Sequence, residues 1–337
     1  MILIGGLGTR LRPLTDSKPK SMLPILNKAM ILHILDSLPE RINEIILAVS
    51  FKKEMLQEFF ETEGREVILV EEEEPLGTGG AIKNVERFLN STFLVINGDI
   101  LSSLSIPEFL MFHERKGGIG AMALWMVEDP RRFGVAEIDY SERIVRFEEK
   151  PEGNVFSNLI NAGIYILKLE ILDYLEKGKK SSIEREVFPL ILDKGLYGYH
   201  FKGYWVDCGT PESYLDAHKI LLDTKFGEEI IKGENVMMSR EAVAKPPCLI
   251  GNNCVIKGKI GQYTCIGSDV IVEEDCVIES SVLMARTTVR KNSIIKNSII
   301  GEHCMIGESV RLNKCVVGDG VKIENDREFF KEKVSAV

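Results

Sequence analysis

The sequence predicts an α/β layered domain, a mostly parallel sheet between helices, followed by a left-handed parallel β-helix. Two observations carry this. Through the first two-thirds of the 337-residue chain, short apolar runs alternate with helical patterns. Beyond residue 249 helical periodicity vanishes, and an aliphatic residue recurs about every six positions. Strict strand–helix alternation implies right-handed parallel crossovers. A hexapeptide repeat implies a coil with three flat faces, one hexad to a face.

In order along the chain, an apolar run at 1–4 leads into glycines. Strands are expected at 45–50, 66–70 and 92–97, with helices at 53–62 and 78–89 between them. From about 118 the pattern becomes richer in β, with runs at 119–127, 134–139 and 160–167, and a helix at 211–223 closes a domain of residues 1–230. The β-helix is expected over 246–323. Its aliphatic positions are Ile250, Ile256, Ile260, Ile266, Val272, Ile278, Leu283, Val289, Ile295, Ile300, Ile306, Leu312, Val317 and Ile323. Fourteen positions give four to five rungs, with irregular corners where the step shortens to four or five. The tail 324–337, carrying Phe329 and Phe330, reads as a capping helix. Cys248, Cys254, Cys276, Cys304 and Cys315 each stand two residues before an aliphatic position, a slot for a small apolar side chain rather than a metal ligand.

Composition narrows the function classes. With 45% hydrophobic and 28% charged residues, the chain is ordinary globular material. A formal charge of -9 argues against nucleic acid as a partner. No apolar run reaches membrane-spanning length, and nothing at the amino terminus resembles a cleavable signal. Seven cysteines without a C-x-x-C pair suit a reducing cytoplasm.

Against that acidic background, Gly5-Gly6-Leu7-Gly8-Thr9-Arg10-Leu11-Arg12-Pro13 and Lys18-Pro19-Lys20 concentrate three glycines and four cations. Glycines let backbone N–H groups approach an anion, and the cations neutralise phosphate oxygens. A solvated turn is the bland alternative. The stretch is neither a Walker loop, lacking Lys-Ser or Lys-Thr after Gly8, nor a dinucleotide fingerprint, having Leu11 where the last glycine belongs. Asn97-Gly98-Asp99 and Trp205-Val206-Asp207-Cys208-Gly209-Thr210 each end an apolar run in an acid beside a glycine. Two such carboxylates facing a phosphate loop suit Mg²⁺, which prefers hard oxygens and few protein ligands.

The pattern G-G-x-G-T-R-L-x-P…K-P-K resembles the sugar-phosphate nucleotidylyltransferases. Their fold is a Rossmann-like nucleotidyltransferase domain, here with a C-terminal β-helix. Glu74-Pro75-Leu76-Gly77-Thr78 is similar to the family's base-binding segment, Phe147-Glu148-Glu149-Lys150-Pro151 to F-x-E-K-P, and Asn161-Ala162-Gly163-Ile164-Tyr165 to N-A-G-x-Y. Within the family Glu74 to Ala81, Asn161 to Tyr165, the run 182–189 and Trp205 to Thr210 are most similar to the mannose-1-phosphate guanylyltransferases.

The resemblance implies that Leu3, Gly5, Gly6, Gly8, Thr9 and Gly98 line the nucleotide, with Glu74, Gly77 and Thr78 at its base. It implies that Arg10 and Lys20 carry catalysis, Asp99 and Asp207 hold Mg²⁺, and Gly134, Glu149, Lys150 and Asn161 receive the sugar phosphate. A carboxylate at Glu74 would suit the N1–H and N2–H₂ donors of guanine, which favours GTP. Glu71, Glu72 and Glu73 read as a solvated charge run. The expected reaction is in-line attack of a sugar 1-phosphate on the α-phosphorus of a nucleoside triphosphate, with pyrophosphate released. Glucose-1-phosphate thymidylyl- and uridylyltransferases share most of these motifs. A catalytically silent regulatory paralogue and a β-helix with acyl-transfer activity remain as alternatives of other classes. The β-helix is expected to join copies of the chain into a homo-oligomer through its flat faces.

Overall fold

The computed structural model describes residues 1–335. The chain forms two compact units, Met1–Leu7 with His33–Trp205 and Gly8–Leu32 with the chain from Val206 onward.

In the first unit, strand Ile2–Leu3 lies between Ile46–Val49 and Phe93–Asn97, parallel to both, and Ile68–Glu71 extends that parallel side. Ile46–Val49 is buried at every position, as a central strand covered on two faces must be. The helices Lys53–Glu63 and Gly77–Asn84 occupy the crossovers. Beyond Phe93–Asn97 the sheet turns antiparallel. Leu159–Leu167 runs against both Phe93–Asn97 and Gly120–Met126, and Gly134–Ile138 pairs antiparallel with Ile144–Glu149. The sheet is therefore mixed, with its parallel half where strand–helix alternation is strict. Strands Ile144–Glu149 and Leu196–His200 escaped the sequence reading. Both carry charged or polar residues on one face and lack a long apolar run.

The second unit holds the β-helix, with parallel sheets of seven, six and six strands. All fourteen repeat positions lie in its core, together with Cys248, Cys254, Cys276, Cys304 and Cys315. Burying an isoleucine side chain stabilises by about 2 kcal/mol, so this aliphatic stack is the main cohesive term. Corners repeat a left-handed residue in the six-residue steps, as at Asn253, Asp269, Asp275, Arg286, Asn292, His303 and Ser309, and in the five-residue steps at Ser280, Asn297 and Lys314.

Two expectations need correction. The solenoid has about six turns rather than four to five, because it begins at Ile230–Lys232 and runs through Met237–Met238 and Val243–Ala244. That first coil is an end of the stack and lacks the aliphatic–glycine signature. The tail is not a capping helix: Glu328–Phe330 and Lys333–Val334 are strands that pair with the coil below. Phe329 packs on the core in register with Leu312. Residues 336 and 337 of that expected tail lie outside the described residues.

One face of the solenoid is not open. Leu249, Cys265, Val282, Ile299 and Val316 point outward from it, yet each is buried. The helix Pro211–Phe226 and the segment 8–32 belong to the same unit and lie against this side. No helix among the described residues is long and apolar enough to cross a membrane.

Candidate functional site

Parallel strands gather ligand-facing residues at their carboxyl ends. In the first unit this end carries Leu3, Gly5, Gly6, Gly98 and Asp99. The Gly98 N–H donates to Leu3 O at 2.8 Å, locking the ends of two neighbouring strands together. The Ser50 hydroxyl donates to the Gly5 carbonyl, which fixes the start of the loop. Glu72 departs from the expected charge run. It is buried at 6% exposure, and its carboxylate accepts from the Leu76 N–H at 3.1 Å. Burial pushes its carboxyl above the usual range, partly offset by that hydrogen bond. The reading missed it because four consecutive glutamates look alike in sequence, whereas Glu72, just past the end of the strand Ile68–Glu71, alone turns inward and Glu71, Glu73 and Glu74 stay exposed. Glu74 on the adjoining loop and Gly77 at the head of the helix Gly77–Asn84 are exposed.

From this loop a continuous polar chain runs to the sugar-side strand. Thr78 Oγ1 donates to Glu184 Oε2 at 2.5 Å and accepts from the Ile183 N–H at 3.1 Å. Ser182 Oγ donates to the same oxygen at 2.7 Å, and Tyr165 OH donates to Glu184 Oε1 at 3.3 Å. Asn161 Nδ2 donates to the Tyr165 oxygen at 2.7 Å, and Asn161 Oδ1 accepts from the Gly163 N–H at 2.8 Å. Glu184 is 8% exposed and bears three hydrogen bonds, so it ties the expected base segment to the expected sugar segment. Burial and the neighbouring Glu184 charge push the Tyr165 hydroxyl well above its usual range, keeping it a donor.

Glu149 and Gly134 face each other across paired strands. A Cβ on Gly134 would stand 2.6 Å from Glu149 Oε2, so only glycine leaves that carboxylate its place. Burial first, then the Glu184 charge, hold the Glu149 carboxyl above its usual range, with Lys150 opposing. Lys150 is exposed and adopts φ 52, a left-handed conformation that costs a lysine on the order of 1 kcal/mol. Its Nζ lies 3.6 Å from Glu149 Oε1. Trp205 closes this side: its indole donates to Ala162 O at 2.9 Å and meets the Phe133 ring edge-on at 5.4 Å.

The second unit holds Gly8, Thr9, Arg10, Lys20 and Asp207. Gly8 sits at φ 60 and its carbonyl accepts from the Leu11 N–H and from Thr15 Oγ1, both at 2.9 Å, which curls the loop into the turn Thr9–Leu11. Arg10 is exposed and Lys20 half-buried at the head of the turn Lys20–Met22. Arg10 and Asp207 converge at Gly209. A Cβ there would collide with the Arg10 guanidinium and stand 2.7 Å from Asp207 Oδ1. Thr210 and Ser213 then cap the helix Pro211–Phe226 reciprocally. A half-buried carboxylate beside a guanidinium, with backbone space kept open, offers a hard-oxygen donor that fits Mg²⁺. In the first unit Asp99, which follows Gly98, is half-buried.

Two of the four cations are paired with acids. Arg12 pairs with Asp16 at 3.1 Å. Lys18 is buried, 2.5 Å from Glu302 Oε1 and 3.2 Å from Asp319 Oδ2. No spacing signal in the sequence links residue 18 to acids some 300 positions away.

The nucleotidyl transferase family model matches residues 1–224, and the GMPPB C-terminal domain model matches residues 227–335. The chain is 34% identical over 337 residues to mannose-1-phosphate guanylyltransferase 1 of Arabidopsis thaliana, covering 96% of this chain and 89% of that protein. It is 37% identical over 296 residues to the mannose-1-phosphate guanylyltransferase of Mycobacterium tuberculosis, covering 83% and 82%. Among solved structures, HddC from Yersinia pseudotuberculosis complexed with GMP-PN superposes with a TM-score of 0.54 at 31% identity, covering 64% of this chain and 96% of that one.

Proposed function

Because the chain belongs to the nucleotidyl transferase family and continues into a GMPPB C-terminal domain, we propose that it joins GTP to mannose 1-phosphate, forming GDP-mannose and pyrophosphate. The observation that supports this reading is the hydrogen-bonded chain Thr78–Glu184–Tyr165–Asn161, which ties the proposed base segment to the proposed sugar segment. Curated relatives bearing the guanylyltransferase name support the choice of base and sugar.

The sugar phosphate is already anionic at neutral pH, its second pKa being about 6. No general base is needed, and the barrier is repulsion between polyanions and charge growth on the departing pyrophosphate. An oxygen of the sugar phosphate bonds to the α-phosphorus as the bond to the β-phosphate oxygen breaks. Arg10 takes the leaving phosphates, Lys20 the α-phosphate, and Lys150, held in a strained conformation above Glu149, the incoming sugar phosphate. Glu149 and Asn161 orient sugar hydroxyls, while Gly5, Gly6, Gly8, Thr9 and Gly98 present backbone to the nucleotide. Asp99 and Asp207 would hold Mg²⁺, which when bound neutralises phosphate charge.

Seven buried cysteine thiols favour a reducing, cytoplasmic setting. Outward positions Met237, Val255, Ile271, Thr288 and Met305 stack on one solenoid face in register, and this largely apolar column supports assembly of copies there. Size-exclusion chromatography of Ile271→Glu should show a smaller species than wild type; an unchanged elution volume would remove that assignment.

Pyrophosphate release measured over GTP, UTP, dTTP and ATP, each with mannose and glucose 1-phosphates, tests the main reading. The highest kcat/KM is expected for GTP with mannose 1-phosphate; a higher value for any other pair overturns it. Lys20→Ala should lower kcat by at least about 100-fold with the fold intact. Glu74→Gln should weaken GTP use more than use of the other triphosphates.

A further inference from the structure

Lys18 stands two residues before Lys20 in the glycine–cation segment, yet its ammonium is buried against the repeats at 11% side-chain exposure. Its partners, Glu302 and Asp319, occupy corresponding corners of successive coils. The Glu302 N–H donates to Asp319 Oδ1 at 2.8 Å, so the two acids are locked to each other. Asp319 Oδ2 also accepts from Ser17 Oγ at 2.6 Å. The attachment continues along the same stretch of chain. Lys333 Nζ donates to the Arg10 carbonyl at 2.8 Å, Pro13 lies against Gly318, and Asn27 Nδ2 donates to Ile266 O at 2.8 Å. The segment bearing Arg10 and Lys20 is thus fastened to the solenoid at Arg10 itself, between the two cations and after Lys20.

We infer that Lys18 is a positioning residue and that the solenoid acts in phosphoryl transfer by holding Arg10 and Lys20 in place through it. Pro19, with its fixed φ, joins Lys18 to Lys20, so a shift of the anchored backbone passes directly to the next lysine. Misplacement by about 1 Å is enough to cost on the order of 100-fold in rate. Removing one member of a buried ion pair leaves the others uncompensated and drives such a shift. The Lys18 ammonium is turned to the two acids.

This inference rests on the nucleotidyl-transfer reading, and the test separates the two. Steady-state pyrophosphate release is compared for wild type, Lys18→Met, Lys18→Arg and Lys257→Met, with amide hydrogen exchange followed over residues 9–22. Lys257 pairs with Glu274 at 2.9 Å elsewhere on the solenoid and serves as the comparison. Lys18→Met should lose at least tenfold in kcat, keep KM for both substrates within threefold, and exchange faster over 9–22. Lys18→Arg should retain kcat within threefold, and Lys257→Met should match wild type in all readouts. A Lys18→Met kcat within twofold of wild type, or a loss expressed as raised KM, overturns the inference. Should Lys18→Met fail to fold, Asp319→Asn and Glu302→Gln are judged by the same criteria. Wild type inactive with every substrate pair would instead defeat the nucleotidyl-transfer reading, while exchange over 9–22 would still report on the anchor.

Discussion

Gly209→Ala adds one methyl group where Arg10 and Asp207 meet. The new Cβ would lie 2.7 Å from Asp207 Oδ1, against an ordinary contact of about 3.5 Å, so the carboxylate must retreat by about 0.8 Å. The Arg10 guanidinium is closer still and must also move. Gly209 is not in the left-handed region, so alanine imposes no backbone strain and the effect is one of placement. Displacement of this size in two charge-bearing groups should lower kcat on the order of 100-fold, about 3 kcal/mol of barrier. The assay is pyrophosphate release at saturating substrates, beside thermal unfolding. Gly153→Ala, whose added Cβ meets nothing within 4 Å, supplies the neutral comparison. Should Gly209→Ala melt with wild type and turn over within twofold of it, Arg10 and Asp207 do not jointly set the rate.

Glu184→Ala removes the acceptor of three hydrogen bonds at a site 8% exposed, at about 1 kcal/mol each, so urea unfolding should register a loss of about 3 kcal/mol. KM for the triphosphate should rise with it, since Thr78 loses its anchor; a stability loss under 1 kcal/mol would contradict the network. Glu149 titrates above its usual range when folded, so the folded state binds more protons than the unfolded one between the usual value and the raised one. Stability should therefore fall as pH rises through that window, and Glu149→Gln should flatten the fall. Melting temperatures of both proteins across about pH 4 to 7 decide it, and parallel curves would show that Glu149 is not the group responsible.

Much of the architecture is written locally and so can be read locally. Every aliphatic hexad position faces the solenoid core because each coil repeats the same problem of burial. The glycines at 5, 6 and 8 and Asp99 are likewise marked by neighbours in sequence. What could not be read depends on distance along the chain or on direction of a side chain. Glu72 and Glu74 look alike in sequence, and only the fold turns the first inward and leaves the second on an exposed bend. Lys18 looks like its neighbours Arg10 and Lys20 until Glu302 and Asp319 are folded beside it. The end coils at 230–244 and 328–334 are hidden because a terminal repeat has one neighbour rather than two, and its hexads relax accordingly.

The sulfurs inside the solenoid give the molecule an internal clock. Burial pushes the Cys248 and Cys276 thiols up to about 11 and Cys304 up to about 12, so at neutral pH none is ionised enough to be alkylated while its coil is closed. Each becomes reactive only when its own turn opens, and a stack held by nearest neighbours opens from its ends inward. Iodoacetamide labelling read by mass, cysteine by cysteine from 248 to 315, would chart that fraying without any added probe.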